Sequence, residues 1–346
     1  MSNTLKELLK KLTEDQTLER SDLENCFVEI IKGEATEIQI SAFITALKMK
    51  GETAEDIAAG SSVLRRLAVT IPGHEDAIDI VGTGGDGVGT WNISTAATFV
   101  VAGAGVPVAK HGNTAVSSKS GASDVLNALG INLKANVKTV QSALDESNVC
   151  FLMAPLYHSG MRHVGPVRKE LAFRSIFNIL GPISNPALVK RTMIGVYEKR
   201  LLKPFAEALD NLGATNALIV HGRDGLDEVT TTTETDAVCL NNGEITEMVL
   251  HPSDIGLAAA KTDDLIGGNP EENAAALTAL LDGAKNAYRD IVIMNAAAAL
   301  FGSGHAASLQ EGADRAITSL DSGAAKKALA GLIEITNAEL TDEEIA

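Results

Sequence analysis

The stretch AIDIVGTGGDG, residues 77–87, joins an apolar β-strand to a loop in which glycine recurs. The stretch NISTAATFVVAGAG, residues 92–105, follows it and has the apolar content of a buried helix. The pattern continues with VPVAKHGN (106–113) as a strand and loop, SGASDVLNALG (120–130) as a helix and VCFLMAP (149–155) as a strand. Strands that alternate with helices are typical of a parallel sheet covered on both faces. We therefore predict an α/β domain.

The first 72 residues differ from this region because their pattern is helical throughout. Leucines from Leu5 to Leu12 fall at helical spacing. We predict that Ser21 caps a second helix with Glu24 in a capping box, and that Thr53 caps a fourth helix that ends at Leu67. A third helix is predicted from Glu37 to Met49 and should stop at Gly51.

These patterns predict two domains. Further strands are predicted at 192–196, 217–221 and 237–240, and helices from Pro270 onward. We expect residues 1–72 to form a small helical domain, joined by helices around 166–190. Residues 73–346 should form a large α/β domain with a mostly parallel central sheet.

Composition narrows the class of protein. The chain has 346 residues and a net charge of −16, which opposes a nucleic-acid partner. The three cysteines lie far apart, which fits a reducing, cytoplasmic location. The longest apolar run, 96–109, is shorter than the ~20 residues of a membrane span, and the charged N-terminal stretch is unlike a signal peptide.

The glycine loop from Gly82 to Gly89 predicts an oxyanion site, because glycine lets backbone N–H groups approach a phosphate. Asn92, Ser94 and Thr95 open the next helix, where the helix dipole and the hydroxyls favour a negative charge. An ordinary strand–helix turn is the alternative. The spacing matches neither the dinucleotide-binding fingerprint nor the Walker A motif.

Lys110 is expected to face the same anion, because it follows the strand at 106–109 and neighbouring parallel strands end at one edge. A dense cationic stretch comes later, in YHSGMRHVGPVRK at 157–169 and then Arg174. In it Arg168 suits a carboxylate, which its guanidinium can bind bidentately. We expect Arg162 and Lys169 to be solvated, and His163 could equally pair with a backbone carbonyl.

The adjacent acids Asp227 and Glu228 suit a hard divalent cation that is held largely through water and phosphate oxygens. Two residues alone do not distinguish this site from a pair of solvated loop acids.

Taken together, these blocks resemble the anthranilate phosphoribosyltransferase family. The matching motifs are GTGGDG with T-x-NIST, KHGN with SS-x-SG, PVRKEL with R-x-IFN-x-LGP-x-SNP, and the later G-x-DE, in that order. The resemblance extends to QISAFITALKMKGET at 39–53. It implies transfer of phosphoribosyl from 5-phosphoribosyl 1-diphosphate to the amine of anthranilate, with Mg²⁺ as cofactor, in a homodimer formed through the helical domain.

The resemblance also assigns site residues. The positions that match binding of the diphosphate sugar are Gly82, Gly85, Asp86, Thr90, Asn92, Ser94, Thr95, Lys110, Asn113, Ser117, Ser118 and Ala122. Those for anthranilate are Gly82, His111, Asn113, His158, Arg168 and Pro182, and those for magnesium are Ser94, Asp227 and Glu228. The expected catalytic groups are Lys110, Arg168, Asp227 and Glu228.

The chain departs from the family pattern at Thr114, where a basic residue is more common, at Trp91 and at Ala172–Phe173. Two alternatives stay open at this point. One is a pyrimidine nucleoside phosphorylase of the related fold. The other is a non-enzymatic nucleic-acid-binding relative, which the net charge of −16 opposes.

Overall fold

The computed structural model describes residues 4–14, 16, 18–114 and 120–338. The N-terminal region contains the four predicted helices, which are α1 (Thr4–Thr13), α2 (Arg20–Ile31), α3 (Glu37–Lys50) and α4 (Ala54–Leu67). Thr53 caps α4 as predicted, in a capping box with Asp56. The predicted cap of α2 at Ser21 is wrong. That helix begins at Arg20 with Glu19 at the N-cap position, and the Glu24 carboxylate accepts a hydrogen bond from Arg20 Nε at 3.2 Å.

A single seven-stranded sheet forms the centre of the rest of the described chain, in the order β3-β2-β1-β4-β5-β6-β7. Its strands are β1 (Ile78–Gly82), β2 (Val108–Gly112), β3 (Val149–Met153), β4 (Arg191–Gly195), β5 (Asn216–Gly222), β6 (Thr235–Asn241) and β7 (Glu244–Leu250). The first five strands in this order, β3 to β5, run parallel, whereas β6 is antiparallel to β5 and β7 is antiparallel to β6. The mostly parallel sheet predicted from the sequence is confirmed.

Strand β7 is an element that the sequence prediction lacks. Its hairpin turn at Asn242–Gly243 has positive φ at both residues, 47° and 86°. Asn-Gly is the commonest sequence for such a turn, so the signal was present. The strand itself, EITEMVL, mixes polar and apolar residues without a regular alternation and is largely exposed at the edge of the sheet.

Helices cover both faces of the sheet. They are α5 (Ile93–Gly103), α6 (Ala122–Ala128), α7 (Val137–Ser147), α8 (Ala154–Tyr157), α9 (Gly165–Leu171), α10 (Ile176–Ile179), α11 (Leu202–Asn211), α12 (Pro270–Leu281), α13 (Ala287–Gly302), α14 (Leu309–Asp321) and α15 (Ala324–Asn337). The helices expected from Pro270 onward are confirmed. No described helix has the length and apolarity needed to cross a membrane.

Two apolar cores follow from the alternation of side chains along the strands. On one face Met193 and Leu218 pack with α5 and α13 to α15. On the other face Ile194 and Ile219 pack with α11 and the N-terminal helices. Val167 of α9 joins this second core, as do the buried residues of α10. The predicted boundary at residue 72, and the assignment of residues 166–190 to the helical domain, stay predictions.

The order of the strands creates a crevice between β1 and β4. From β1 the chain proceeds to β2 and β3 on one side, and then returns to place β4 on the other side. Ligands of open α/β sheets bind at such a switch point, outside the carboxyl ends of the strands. Gly82 and Gly195 are register partners at this edge.

Candidate active site

The paired glycines at the ends of β1 and β4 form a seat for Asp227. A Cβ atom at Gly82 would overlap the Asp227 carboxylate, and one at Gly195 would overlap its backbone oxygen. Because glycine has no Cβ, the acidic loop can lie directly across the two strands. This close approach brings Asp227 to the glycine loop, 143 residues away in the chain.

The glycine loop itself turns sharply beside this seat. Gly84, Gly85, Gly87 and Gly89 have φ between 68° and 80°, which L residues with a side chain rarely adopt. The N–H group of Gly84 donates to Asp227 Oδ2 at 2.6 Å. The loop therefore folds toward the acidic pair and carries its backbone N–H groups to the same edge.

Arg174 reaches the glycine loop from the segment between α9 and α10. Its guanidinium donates to the Gly85 carbonyl and lies 4.2 Å from the centre of the Tyr197 ring. The sequence placed Arg174 in the cationic stretch without a role. The structure makes it a neighbour of the predicted phosphate loop.

The start of α5 completes this edge. The N–H group of Ser94 donates to Glu228 Oε1 at 3.1 Å. Thr95 is buried, and Thr90 pairs with Ile266 in an isolated antiparallel bridge just before the helix. Glu228 thus lies at the positive end of the helix dipole, which stabilises a carboxylate.

Burial shifts the pKa values of the acidic pair, Asp227 and Glu228. It raises the pKa of both Asp227 and Glu228, and the charge of Asp86 raises that of Asp227 further. Lys110 acts in the opposite direction on Glu228. Buried carboxylates that repel one another favour a bound cation.

Hard oxygen donors of this kind fit Mg²⁺. Among the described residues, no three His, Cys, Asp or Glu side chains are arranged to hold a metal by themselves. The donor set therefore suits a cation that also uses water and phosphate oxygens, and not one enclosed by protein.

The sequence predicted that Lys110 lies in the loop after its strand, and this prediction is wrong. Lys110 is the third residue of β2, only 3% exposed, and its ammonium donates to the backbone carbonyl of Ile80. Burial lowers its pKa, whereas Asp79, Glu228 and Asp227 raise it. The strand continues through Gly112 because His111 and Gly112 keep their register with β3.

A buried asparagine holds the loop that carries the acids. Asn295 of α13 accepts from the Val229 N–H group at 2.9 Å and donates to the Val229 carbonyl at 2.8 Å. Asp224, at the start of the same loop, accepts from the hydroxyls of Thr230 and Thr232. The backbone beside Glu228 is therefore fixed on both of its polar groups.

A second cluster lies on the face of the sheet that packs against the N-terminal helices. His111 Nδ1 is 2.5 Å from Asp79 Oδ2, and its Nε2 is 2.7 Å from the Gly181 carbonyl oxygen. A carbonyl only accepts, so Nε2 carries a proton. The ring ties β1 to the turn Gly181–Ile183, which contains the buried Pro182.

Helix α4 of the N-terminal region also donates hydrogen bonds to this turn. Arg65 Nε and the Ser61 hydroxyl both donate to the Ile183 carbonyl at 2.8 Å. His158 Nε2 donates to the Ser184 carbonyl at 2.8 Å. Burial, and secondly the charge of His111, lower the pKa of His158 to about 4, so its ring is neutral at physiological pH.

Arg168 lies on α9, shortly after His158 and the turn Ser159–His163. It is largely buried, and burial lowers its pKa. Among the described residues its guanidinium has no acidic partner, whereas its neighbour Lys169 is exposed, as predicted. A largely buried guanidinium without a counter-charge suits an anionic ligand.

The structure does not show contacts to the rest of the site for every residue predicted to belong to it. Asn113 is exposed at the end of β2 and accepts from the N–H group of Thr114 at 2.8 Å. Ala122 begins α6 and lies near Gly112. Ser117 and Ser118 lie outside the described residues.

Several polar residues of the site had no assignment from the sequence. Asp79 had a signal, since it is an acid inside an apolar strand. Asn273, Asn295 and Arg65 had none, because their partners lie 66 to 181 residues away in the chain.

Comparison with family models divides the chain into two matches. Residues 6–68 match the helical bundle domain of a glycosyl transferase family, and residues 74–326 match the a/b domain of a glycosyl transferase family. The predicted fold class, a small helical domain before a larger α/β domain, is thereby confirmed.

Curated relatives are similar over nearly their whole length. Anthranilate phosphoribosyltransferase of Parvibaculum lavamentivorans is 51% identical over 96% of this chain and 97% of its own. The enzyme of that name from Caulobacter sp. is 48% identical over 100% and 99%.

Solved structures agree. The anthranilate phosphoribosyltransferase of Thermus thermophilus superposes with a TM-score of 0.91 at 39% identity, covering 95% of this chain and 99% of its own. The enzyme of Saccharomyces cerevisiae in complex with PRPP and Mg gives 0.88 at 31% identity, covering 97% and 98%.

Proposed function

The chain belongs to the anthranilate phosphoribosyltransferase family, and we propose that the edge between β1 and β4 carries out the reaction of that family. The enzyme is a pentosyltransferase of tryptophan biosynthesis. It moves the 5-phosphoribosyl group from 5-phosphoribosyl 1-diphosphate to the amine of anthranilate and releases pyrophosphate. The observation that carries the assignment to this edge is the seating of Asp227 and Glu228 against the glycine loop and the start of α5.

The two alternatives are not favoured. The relatives found at 48–51% identity over almost the full chain are named as anthranilate phosphoribosyltransferases, and none of those described is a nucleoside phosphorylase or a nucleic-acid-binding protein.

The glycine loop and α5 are proposed to hold the diphosphate sugar. Residues from Gly82 to Asp86 bring backbone N–H groups to the crevice, and Thr90, Asn92, Ser94 and Thr95 add the helix start. Asn113, Ser117, Ser118 and Ala122 are also proposed to bind the diphosphate sugar, as the family resemblance implies. Donors that are fixed before the reaction stabilise the charge that gathers on the leaving pyrophosphate.

Mg²⁺ is proposed to bind at Asp227 and Glu228, beside Ser94. When bound, it would neutralise the charge of the departing diphosphate. The chain prepares this position by burying two carboxylates beside Asp86. We propose that Lys110 acts here by keeping Glu228 ionised. Its ammonium is bonded to Ile80, so this role replaces the direct ligand contact expected from the sequence.

Arg168 is proposed to bind the carboxylate of anthranilate and so direct the amine to the anomeric carbon. His111, His158 and Pro182 would line the path of the aromatic ring, with Gly82 and Asn113 at its inner end. The substitution is largely dissociative, so positioning and electrostatics carry most of the rate enhancement.

No histidine of this cluster serves as a general base. Both ring nitrogens of His111 are already hydrogen-bonded. The pKa of His158, lowered to about 4, makes it a weak base at neutral pH. The carboxylate of anthranilate or a water molecule takes the proton of the amine.

A homodimer is proposed through the helical region. Ile38 and Met49 of α3 are 82% and 84% exposed, and Ala42 and Thr45 lie between them at helical spacing. A stripe of this kind fits a second helix of the same chain. Ile38→Glu with Met49→Glu should give a monomer by light scattering, whereas Ile317→Glu on α14 should not. A dimer that persists in the double variant would exclude this surface.

The proposed cellular location of the enzyme is the cytoplasm.

The activity is tested by incubating the purified protein with anthranilate and 5-phosphoribosyl 1-diphosphate. Anthranilate fluorescence should fall with time, and the fall should depend on Mg²⁺ and be abolished by excess EDTA. Fluorescence that stays constant in the presence of both substrates and Mg²⁺ would sink the assignment. A fall that is indifferent to Mg²⁺ would remove only the metal from the proposal.

A further inference from the structure

Asn273, in the first turn of α12, connects two segments of the site. It is 2% exposed. Its Oδ1 accepts from the Gly268 N–H group at 2.8 Å, and its Nδ2 donates to Asn92 Oδ1 at 2.7 Å. The residue thus links the segment before α12 to the residue that opens α5, 181 positions earlier in the chain.

The chemistry of the partners fixes which way both amides point. A backbone N–H group can only donate, so the atom of Asn273 that faces Gly268 must be its oxygen. Its nitrogen therefore faces Asn92, and the atom of Asn92 that meets it must in turn be an oxygen. Ser120 Oγ also lies 3.4 Å from Asn92 Oδ1, and as a hydroxyl it can donate to that oxygen.

The amide nitrogen of Asn92 is consequently left as a donor. It carries two protons, and its one acceptor among the described residues is the Ser120 carbonyl, at the long distance of 3.4 Å. The Asn92 backbone is held as well, since its carbonyl accepts from the Tyr288 hydroxyl at 3.4 Å. The side chain does not cap α5, so it is not used by the helix that it precedes.

We propose that Asn273 is a positioning residue, which fixes Asn92 as a hydrogen-bond donor to an anionic oxygen of the diphosphate sugar. This inference rests on the proposed function of Asn92. It adds that the donor is selected by a buried residue that itself does not touch the ligand.

The decisive variant is Asn273→Asp, which keeps the shape and reverses one polar group. The carboxylate still accepts from Gly268, but its second oxygen can no longer donate to Asn92. Asn92 then turns its nitrogen inward and presents its oxygen to the sugar's phosphate. The KM for 5-phosphoribosyl 1-diphosphate should rise about tenfold or more, because a charge-assisted hydrogen bond is replaced by repulsion. The KM for anthranilate should change less than about twofold.

Asn273→Ala separates this role from packing. It creates the larger cavity and should lower the melting temperature more, yet it leaves Asn92 free to keep its nitrogen toward the ligand. Its effect on the KM for the sugar should therefore be smaller than that of Asn273→Asp. Asn216→Asp is the matched control, because Asn216 is a buried asparagine at the opposite, amino-terminal edge of the sheet.

Asn92→Ala completes the experiment. In its background, Asn273→Asp should no longer change the KM for the sugar. If Asn92→Ala alone leaves that KM unchanged, the binding role of Asn92 fails and the inference falls with it. If Asn92→Ala raises the KM but Asn273→Asp does not, only the inference is overturned.

A second variant covers the case in which Asn273→Asp does not fold. Asn273→Ser is too short to reach Asn92 and should raise the KM for the sugar about threefold, and only when Asn92 is present. An equal effect in the Asn92→Ala background would mean that Asn273 acts on the structure in general, which contradicts the proposal.

Discussion

Lys110 and His111 are neighbours on β2, yet they belong to two differently built halves of the site. Lys110 lies close to the acidic pair, in the part of the site that glycines and backbone N–H groups form and that is called the phosphate half. His111 lies with Asp79 and the turn Gly181–Ile183, to which side chains of α4 donate hydrogen bonds. This part of the site, which is proposed to bind the acceptor anthranilate, is called the acceptor half. Side chains on successive strand residues point to opposite faces, so one short strand serves both halves.

The difference teaches that the two halves tolerate change differently. The phosphate half depends on close backbone approach and on charge, since Gly82 and Gly195 must lack a Cβ atom for Asp227 to be seated. The acceptor half depends on side chains that bridge the sheet and the N-terminal helices. Substitutions that disturb the glycine pair or the acidic pair of the phosphate half should reduce catalysis as a whole, whereas those in the acceptor half should act on one substrate.

The largest effect is expected from Asp227→Asn combined with Glu228→Gln. Loss of both charges should lower kcat/KM at least about a thousandfold and alter the magnesium dependence, since stabilisation of the leaving diphosphate is lost. Steady-state kinetics across a Mg²⁺ titration measures this. Glu234→Gln is the control, because Glu234 is a partly exposed acid in the same segment between β5 and β6. Full activity with an unchanged Mg²⁺ requirement would break the assignment of the phosphate half.

Gly195→Ala tests the seat itself. The added Cβ must displace the Asp227 backbone, and a shift of about 1 Å should cost about a hundredfold in kcat/KM. Gly165→Ala on α9 is the control, because a Cβ atom there would meet open space. The contrast between the two halves is contradicted if both variants keep normal activity while melting at the same temperature as the unsubstituted protein.

Arg168→Ala tests the acceptor half. Removal of its guanidinium should raise the KM for anthranilate roughly tenfold to a hundredfold, as expected for a charge-assisted hydrogen bond, and leave the KM for the diphosphate sugar nearly unchanged. Lys169→Ala, exposed on the same helix, should have normal constants for both substrates. An unchanged KM for anthranilate would exclude Arg168 from the acceptor site.

How much of this site could be predicted from the sequence depended on distance along the chain. The glycine loop, the start of α5 and the acidic pair are each a short motif of adjacent residues, so each could be recognised in the sequence. Asn273 and Asn295 act on partners far away in sequence, and only the folded sheet brings them there. Lys110 was predicted to lie in the loop after its strand, because its polar neighbours conceal that β2 continues to Gly112.

His158 should give the smallest effect. Its pKa is lowered from 6.5 to about 4, so the unfolded chain binds a proton that the folded protein rejects. This residue's contribution to stability is therefore complete above pH 6.5 and is lost as the pH falls toward 4, at about 2 kcal/mol between pH 7 and pH 5. Denaturant melts of the protein and of His158→Gln, compared at both pH values, measure it. Equal losses in the two proteins would show that His158 is not responsible.

The glycine pair at the end of β1 and β4 also sets where this enzyme can be redesigned. A crevice closed to side chains at Gly82 and Gly195 leaves no room for directed evolution to alter the donor sugar from that side. The α9 helix offers such room, with open space above Gly165 and an exposed flank. Libraries that seek new aromatic amine acceptors should therefore concentrate on the acceptor half and keep the strand ends unchanged.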